Sequence, residues 1–282
     1  MNLSINQFKK KLMEIHEIST LPQVMARIIE IVTDENSCAT DLAAEITKDK
    51  SLTAKILKIV NSAYYGFYRE IVKVSDAVVV LGFNEIKRLS LAMSVLDMFR
   101  KDKRTQHRIS LWNHSLACAA MSDIIERERG LRNRGAFTAG LLHDIGKAVL
   151  DQYFPPMFAA VQVLVHEQSL QFYEAERQLF GFDHSDIGCW LTEKWNLPQN
   201  LIEAIRCHHR PETAQTEPEL ARIVYLANRL SNEFVRMKNS GLTVQNVALE
   251  GDPDFAPEKK VQLLLELEQR VAGSTAADLI GY

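Results

Sequence analysis

The chain has 282 residues, a formal net charge of −3, and 46% hydrophobic and 24% charged residues. This composition is typical of a globular protein with a sizeable core and argues against a disordered chain. A slightly acidic chain has no general attraction for nucleic acid or for anionic lipid.

Two further absences narrow the class of protein. No apolar run approaches the roughly 18 residues of a membrane span, and the N-terminus has no signal-peptide layout. The cysteines form no CxxC pair and lie in apolar, helix-like patterns; they are Cys38, Cys118, Cys189 and Cys207. The sequence therefore predicts a cytoplasmic protein with reduced, buried thiols and neither disulfides nor a zinc knuckle.

Apolar residues recur at helical spacing along nearly the whole chain, and sustained alternation is almost absent, so the sequence predicts an all-α protein. In the first hundred residues the spacing predicts helices over 4–16, 24–34, 41–47, 51–60, 74–81 and 84–98. The pair within 41–62 superficially resembles a DNA-reading helix-turn-helix. Its second helix offers only Lys55 and Lys58 to phosphates, so we favour a structural role over DNA binding.

A basic run at 100–108 interrupts the apolar helices. It predicts a boundary between an N-terminal lobe, residues 1–100, and a C-terminal lobe, residues 101–282. We interpret the run as a solvated connector, with contact to a partner or a phosphate as the alternative. In the second lobe the spacing predicts a helix over 109–129, a turn near 130–133 and a second helix from there through 150. Further helices are predicted over 155–168, 170–180, 187–195, 198–207 and 219–238, with short helices in 243–282.

His143 and Asp144 stand side by side in the segment Gly140–Lys147. A neutral imidazole and a carboxylate suit a divalent transition metal, although an isolated His-Asp pair is more often structural. Five histidines of the second lobe lie near helix ends or beside acidic or histidine neighbours, which favours a metal site: His114, His143, His184, His208 and His209. The other three are expected at the surface: His16, His107 and His166.

The predicted helical hairpin around residue 131 permits a geometric test of this idea. His114 lies about 17 residues before the turn and His143 about 12 after it. In an antiparallel pair the two side chains then differ in level by about five residues, or some 7 Å. That offset allows both residues to reach one ion.

Two other features bear on chemistry. Lys147 follows His143 by one turn, where its ammonium could contact a bound phosphate. Asp144 and a water activated by a divalent ion would form a hydrolytic pair. Asp183 and Asp186 flank His184, and we expect them to cap a helix rather than to orient the imidazole ring.

The segment Leu142–Lys147, with His114 upstream, resembles the HD-domain superfamily of metal-dependent phosphohydrolases. The wider pattern resembles the HDOD family, bacterial HD-related output domains linked to signalling, over roughly residues 15–240. The segments that carry this likeness are Leu21–Pro22, Ile56–Tyr65, Ala77–Gly82, Gly181–His184, Trp195–Pro198 and His208–Pro211.

The resemblance implies a two-lobe, all-α HD-like fold that holds one or two divalent metal ions of the Fe, Mn, Ni or Zn type. The positions that match the ligands of the HD pattern or the extra histidines of HD-GYP phosphodiesterases are His114, His143, Asp144, His184, His208 and His209. Asn228 stands where the closing acidic ligand is expected, and an amide holds a hard cation more weakly. No Gly-Tyr-Pro segment follows His208–Pro211, which argues against hydrolysis of cyclic di-GMP.

For function, the resemblance first implies a regulatory module of signal transduction. Such a module would act mainly by binding a signalling protein partner or a small nucleotide, with a retained metal site. The alternative is a metal-dependent phosphohydrolase or phosphodiesterase for a nucleotide or cyclic nucleotide, with Asp144 and Lys147 as catalytic groups. Asn228 in place of an acidic ligand favours the first interpretation.

Overall fold

The computed structural model describes residues 4–15, 23–34, 37–61, 67–98, 106–131, 135–244 and 253–271. Within these ranges the regular structure is helical and no β-strand occurs, which confirms the predicted all-α class. Several sequence features named above lie outside the described residues: His16, Leu21–Pro22, part of Ile56–Tyr65, and most of the basic run.

Six helices occupy the described residues before position 100. They are α1 (Ile5–Glu14), α2 (Gln23–Thr33), α3 (Ala39–Lys48), α4 (Lys50–Val60), α5 (Val74–Leu81) and α6 (Phe83–Met98). Helix α2 packs on α3 and α6, and α3 also packs on α5. Each helix buries an apolar stripe; in α4 this stripe comprises Leu52, Ile56, Ile59 and Val60. Burial of these stripes is the main favourable term that holds the helices together.

The second part of the described chain surrounds one long helix. Its elements are α7 (Gln106–Glu128), α8 (Ala136–Leu142), α9 (Ile145–Tyr153), α10 (Pro155–Gln168), α11 (Phe172–Phe180), α12 (His184–Lys194), α13 (Gln199–Cys207), a 3-10 turn (Pro211–Thr213), α14 (Pro218–Ser240) and α15 (Pro257–Val271). Helix α7 contacts α8, α14 and α15, whereas α12 packs between α9 and α13.

One group of buried side chains continues from α1–α6 into α8, α9, α12 and α13. Phe8 illustrates this continuity, because its ring lies 4.6 Å from that of Phe154 and 4.7 Å from that of Phe182. A second group lies between α7, α8, α14 and α15. The predicted boundary at residue 100 falls outside the described residues and stays a prediction.

The prediction of one continuous helix through residue 150 is wrong, because the helix breaks at His143 and Asp144. Tertiary contact explains the break. A Cβ atom on Gly146 would lie 2.0 Å from the carbonyl oxygen of His184, so α9 approaches the start of α12 as closely as glycine allows. This approach sets the direction of α9 independently of α8, and the backbone of Asp144 absorbs the change with φ −99° and ψ 13°.

The predicted burial of the cysteines holds for three of the four, all of which are free thiols. Cys38 is exposed, and the prediction was wrong for this residue. Cys38 stands at the N-terminal cap of α3, where its backbone N–H donates to a carboxylate oxygen of Asp41. A cap position lies at a helix end rather than on the apolar stripe, so burial does not follow from the neighbouring periodicity.

Among the described residues, no single helix is both long and apolar enough to cross a membrane. Taken together, the helices Ala136–Tyr153 and Pro155–Gln168 have the length and apolar composition of a membrane span. The pair is bent by 115° between the two helices.

Candidate metal centre

Six side chains from four parts of the second half of the chain converge in the interior. His114 lies within α7, His143 and Asp144 occupy the break between α8 and α9, and His184 is the first residue of α12. His208 and His209 follow the end of α13. Of the six, all except the partly exposed His209 are buried, so remote helices bring these groups together away from bulk water.

The first group consists of His114, His143 and Asp144. The Nε2 atoms of the two imidazoles lie 3.2 Å apart. The Oδ2 atom of Asp144 is 3.4 Å from Nε2 of His143 and 3.7 Å from Nε2 of His114. The predicted level difference between His114 and His143 therefore does not keep their Nε2 atoms apart in the folded chain.

The second group consists of His184, His208 and His209. The Nε2 atom of His184 lies 3.3 Å from Nε2 of His208 and 2.9 Å from Nε2 of His209. The other carboxylate oxygen of Asp144, Oδ1, lies 3.1 Å from His184 and 3.8 Å from His208. Asp144 thus presents one oxygen to each histidine group.

In three of the imidazoles, the ring nitrogen that faces away from the centre forms a hydrogen bond to an oxygen that can only be the acceptor. His143 donates from Nδ1 to the carbonyl of Gly140 at 2.7 Å, and His208 donates to the carbonyl of Ile205 at 2.6 Å. His184 donates from Nδ1 to a carboxylate oxygen at 2.6 Å. In its neutral form, each ring would therefore carry its proton on Nδ1 and direct the lone pair of Nε2 at the centre of the site, which is the tautomer that binds a metal.

The acceptor for His184 is Glu176, which belongs to none of the sequence motifs. Its side chain is fully buried, and its Oε2 atom accepts both the ring proton of His184 and the backbone N–H of His184, the latter at 3.0 Å. Glu176 lies eight residues before His184 on α11. The only sequence signal is an acidic residue on the apolar side of an amphipathic helix.

Asp183 and Asp186 cap α12, as predicted, and neither orients the His184 ring. The Oδ1 atom of Asp183 accepts the backbone N–H groups of Ser185 and Asp186 at 2.9 and 3.2 Å. Arg177 pairs with both carboxylates, at 2.6 and 3.1 Å. These contacts fix the first turn of α12 and hence the position of His184.

Burial and neighbouring charges shift the pKa values of these side chains in different directions. Burial would lower the pKa of His143, but the neighbouring Asp144 carboxylate outweighs it and raises that pKa to about 10. Burial would raise the pKa of Asp144, and His143 and Lys147 instead hold it well below its usual range. Burial and the His143 charge lower the pKa of His114 to about 3. The centre thus combines an ionised Asp144 carboxylate, compensated by His143 and Lys147, with a neutral His114 imidazole that can act as a ligand.

Lys147 and Asn228 lie at the edge of the centre. The ammonium of Lys147 contacts Oδ2 of Asp144 at 2.7 Å, and its side chain is 19% exposed. Asn228 is buried on α14 near His114, and its amide partly offsets the lowered pKa of His114. The amide oxygen of Asn228 accepts a hydrogen bond from Asn232 at 3.0 Å.

The donor set fits a divalent transition ion. Neutral imidazole nitrogens and an ionised carboxylate are the ligands that such an ion prefers, and the ion would replace the proton that His143 carries beside Asp144. Among the described residues, Oδ1 of Asp144, which faces the second histidine group, is a buried atom without a hydrogen-bond partner. The buried histidine and aspartate groups therefore form a suitable metal site.

The chain resembles known proteins in both sequence and structure. The family model of the HDOD domain matches residues 18–211. An HDOD domain protein of unknown function from Geobacter sulfurreducens has a crystal structure with a TM-score of 0.73 and 25% identity; the match covers 96% of this chain and 90% of that one.

Two sequence relatives are longer than this chain. An uncharacterised protein of Treponema pallidum is 26% identical over 219 residues, which are 75% of this chain and 42% of that protein. Ribonuclease Y of Aquifex aeolicus is 34% identical over 128 residues, which are 45% of this chain and 18% of the enzyme. The chain thus spans less than half the length of either relative.

Proposed function

The chain belongs to the HDOD domain family, and we propose that it is a metal-dependent phosphohydrolase with a two-ion centre. The observation that carries the proposal is the position of Asp144, whose two carboxylate oxygens each face a separate histidine group. A carboxylate in this position can bridge two ions, the arrangement used by many enzymes that cleave phosphate esters.

The side chains define what each ion would contact. His114, His143 and Asp144 would hold one ion, and His184, His208 and His209 would hold the other together with Asp144. Imidazole and carboxylate ligands suit Fe, Mn, Ni or Zn. Asn228 would complete the first group as a neutral oxygen ligand only through the lone pair that its hydrogen bond from Asn232 leaves free.

When bound, the divalent ions polarise phosphoryl oxygens and make water acidic enough to act as a nucleophile near neutral pH. The chain's own groups do the rest. Glu176 fixes the orientation and basicity of His184, and Lys147 holds the Asp144 carboxylate in place. The partly exposed ammonium of Lys147 also offers a positive charge to an entering phosphate.

A phosphodiester is the substrate class that the relatives favour. Ribonuclease Y is 34% identical over the matched 128 residues, and a ribonuclease cleaves phosphodiester bonds. The stacked pair of Tyr173 and His209, with ring centroids 4.3 Å apart, adds an aromatic surface beside the partly exposed histidine. A nucleotide-containing diester could stack there.

A second candidate is a regulatory module that retains the metal but acts by binding a small nucleotide or a signalling protein. Asn228 favours this candidate, because the closing position carries no charge and its oxygen already accepts a hydrogen bond from Asn232. A neutral ligand compensates less of the charge of a divalent ion and holds it more weakly.

The two candidates differ in turnover rather than in metal content. Elemental analysis after Mn or Fe loading should find two ions per chain, and bis(p-nitrophenyl) phosphate should be hydrolysed. His143→Ala should abolish turnover, whereas the exposed His166→Ala serves as a matched control and should leave it unchanged. Metal without turnover would support the regulatory module, and absence of metal would contradict both candidates.

Stoichiometry tests the shared carboxylate directly. His143→Ala and His208→Ala should each remove one ion, because each residue belongs to a different group. Asp144→Ala should remove both ions. Loss of the same single ion in all three variants would show that one ion, rather than two, occupies the site.

A further inference from the structure

A polar cavity adjoins the metal centre, and none of the six residues of the centre lines it. It has a volume of about 560 Å³ and lies between α11, α12, α13 and the segment that follows the 3-10 turn. This volume is within the range of cavities that bind small molecules. Its lining carries three arginines, Arg177, Arg206 and Arg210, and three acidic residues, Asp186, Glu193 and Glu203.

Two of the three acidic residues of the cavity, Asp186 and Glu203, bond to partners within the protein, whereas Glu193 is half-exposed and has only a distant cation. Asp186 pairs with Arg177 at 3.1 Å, and Glu193 lies 3.9 Å from the ammonium of Lys9. The Glu203 carboxylate accepts the backbone N–H groups of residues 215, 216 and 217 at 2.6–3.0 Å. Burial would raise the pKa of Glu203, but these amides hold it below its usual range.

Two of the arginines are not occupied in this way. Within the described part of the chain, Arg206 makes neither an ion pair nor a hydrogen bond. Arg210 reaches only Asp183, at 3.9 Å, and its side chain is 49% exposed. The lining also includes the neutral donors Gln199, Gln215 and Thr216. The cavity therefore has two arginines, Arg206 and Arg210, without a close anionic partner, against one such carboxylate, Glu193.

We propose that this cavity is a second ligand site, separate from the metal centre, for a small molecule that carries phosphate groups. The planar guanidinium groups of Arg206 and Arg210 would bind phosphate oxygens, because arginine presents paired N–H donors that match this geometry. The amide and hydroxyl groups of the lining would contact the remaining oxygens. Arg177 and backbone amides offset the charges of Asp186 and Glu203, and solvent screens the half-exposed Glu193, so these carboxylates do not repel such a ligand strongly.

The position of the cavity links it to the metal ligands. Arg177 holds Asp183, which caps the helix that begins with His184. Arg210 directly follows His208 and His209 in the chain. A ligand at this site would therefore contact the same segments that position the second histidine group, while leaving the imidazoles themselves accessible to metal.

The test uses the full chain after removal of metal with a chelator, so that no ion at the histidines can capture phosphate. Inorganic pyrophosphate is titrated by isothermal calorimetry at low ionic strength. The unaltered chain should bind pyrophosphate at one site. Arg206→Ala combined with Arg210→Ala should weaken binding at least tenfold, which corresponds to about 1.4 kcal/mol.

Two controls separate this site from general charge effects and from the metal centre. Lys194→Ala with Arg236→Ala removes the same charge from exposed positions outside the cavity lining, and binding should stay within about twofold. Asp144→Ala should bind pyrophosphate as well as the unaltered chain. No binding at millimolar pyrophosphate, an equal loss in both double variants, or loss in Asp144→Ala would overturn the proposal.

Discussion

The two halves of the described chain differ in whether their buried polar atoms have hydrogen-bond partners. Before residue 100 the buried polar side chains have partners: Ser90 donates to the carbonyl of Ile86 at 2.6 Å, Ser94 donates to that of Ser90 at 2.8 Å, and Glu45 pairs with Lys48 at 2.7 Å. At the metal centre, by contrast, His114, Asp144 and the adjacent Glu176 each have a buried atom without a hydrogen-bond partner among the described residues.

The difference indicates what each half contributes. A buried polar atom without a partner costs about 1–3 kcal/mol, so folding alone would not favour several of them in one place. In the first half, polar groups stabilise the helices and the loops between them. In the second half, the helices bring together imidazole nitrogens and a carboxylate that could hold a metal ion. The first half therefore contributes to the fold, and the second half contains the candidate metal site.

The largest expected effect comes from Gly146, where fold and centre meet. In Gly146→Ala the new methyl group would lie 2.0 Å from the backbone oxygen of His184, which cannot move without displacing α12. We expect the free energy of unfolding to fall by about 3 kcal/mol, at the upper end for overpacking, together with loss of metal. Urea denaturation and elemental analysis measure the two effects.

Gly188→Ala is the matched control for this prediction. Its added methyl group would meet a side-chain carbon of Ile205 at 2.9 Å rather than a backbone atom. A side chain can adjust, so the loss of stability should be clearly smaller and metal should be retained. Equal effects of the two substitutions would contradict the view that α9 and α12 must approach closely to form the centre.

The next effect should come from Glu176, which orients His184 without itself facing the ions. Glu176→Gln keeps the size of the side chain but removes the charge that fixes the His184 proton. Loss of such an outer partner typically lowers metal affinity 10–100-fold. Competition with a chromogenic chelator measures the affinity, and we expect the second histidine group to lose its ion first.

The exposed Glu167→Gln provides the comparison for Glu176. It removes one negative charge from the neighbouring helix α10 and should leave metal affinity unchanged. If both variants bind metal as the unaltered chain does, Glu176 has only a packing role and the orientation of His184 does not depend on its charge.

The smallest effect should come from Asn61 in the first half. Its side-chain amide donates to the carbonyl of Ile71 and accepts the N–H of Ile71, both at 2.8 Å, so it ties the end of α4 to the chain before α5. Asn61→Ala should lower the free energy of unfolding by about 1–2 kcal/mol, because these bonds are only partly buried. Thermal or urea denaturation measures the change.

Metal content is the decisive second measurement for this variant. Asn61→Ala should bind the same number of ions as the unaltered chain, and Asn61→Asp, which keeps only the acceptor, should show an intermediate loss of stability. A reduced metal content in the still-folded variant would show that the first half does more than support the fold.

Local patterns in the sequence were sufficient for much of this description. Periodic apolar residues predicted the helices, and the capping role of Asp183 and Asp186 follows from side chains that bond to nearby backbone groups. The break at His143 and the orienting role of Glu176 were not predictable, since both depend on contact between α9, α11 and α12. The exposure of Cys38 was missed because a cap position interrupts the apolar pattern.

The sequence by itself determined the helices and the set of possible ligands, because periodicity and ligand chemistry are properties of neighbouring residues. Only the tertiary structure decided that Asp144 lies between two histidine groups, since the partners within each group stand 29 and 24–25 residues apart in the chain. Packing of apolar helix faces sets such distances to within a few ångströms, and spacing along one chain contains no information at that scale.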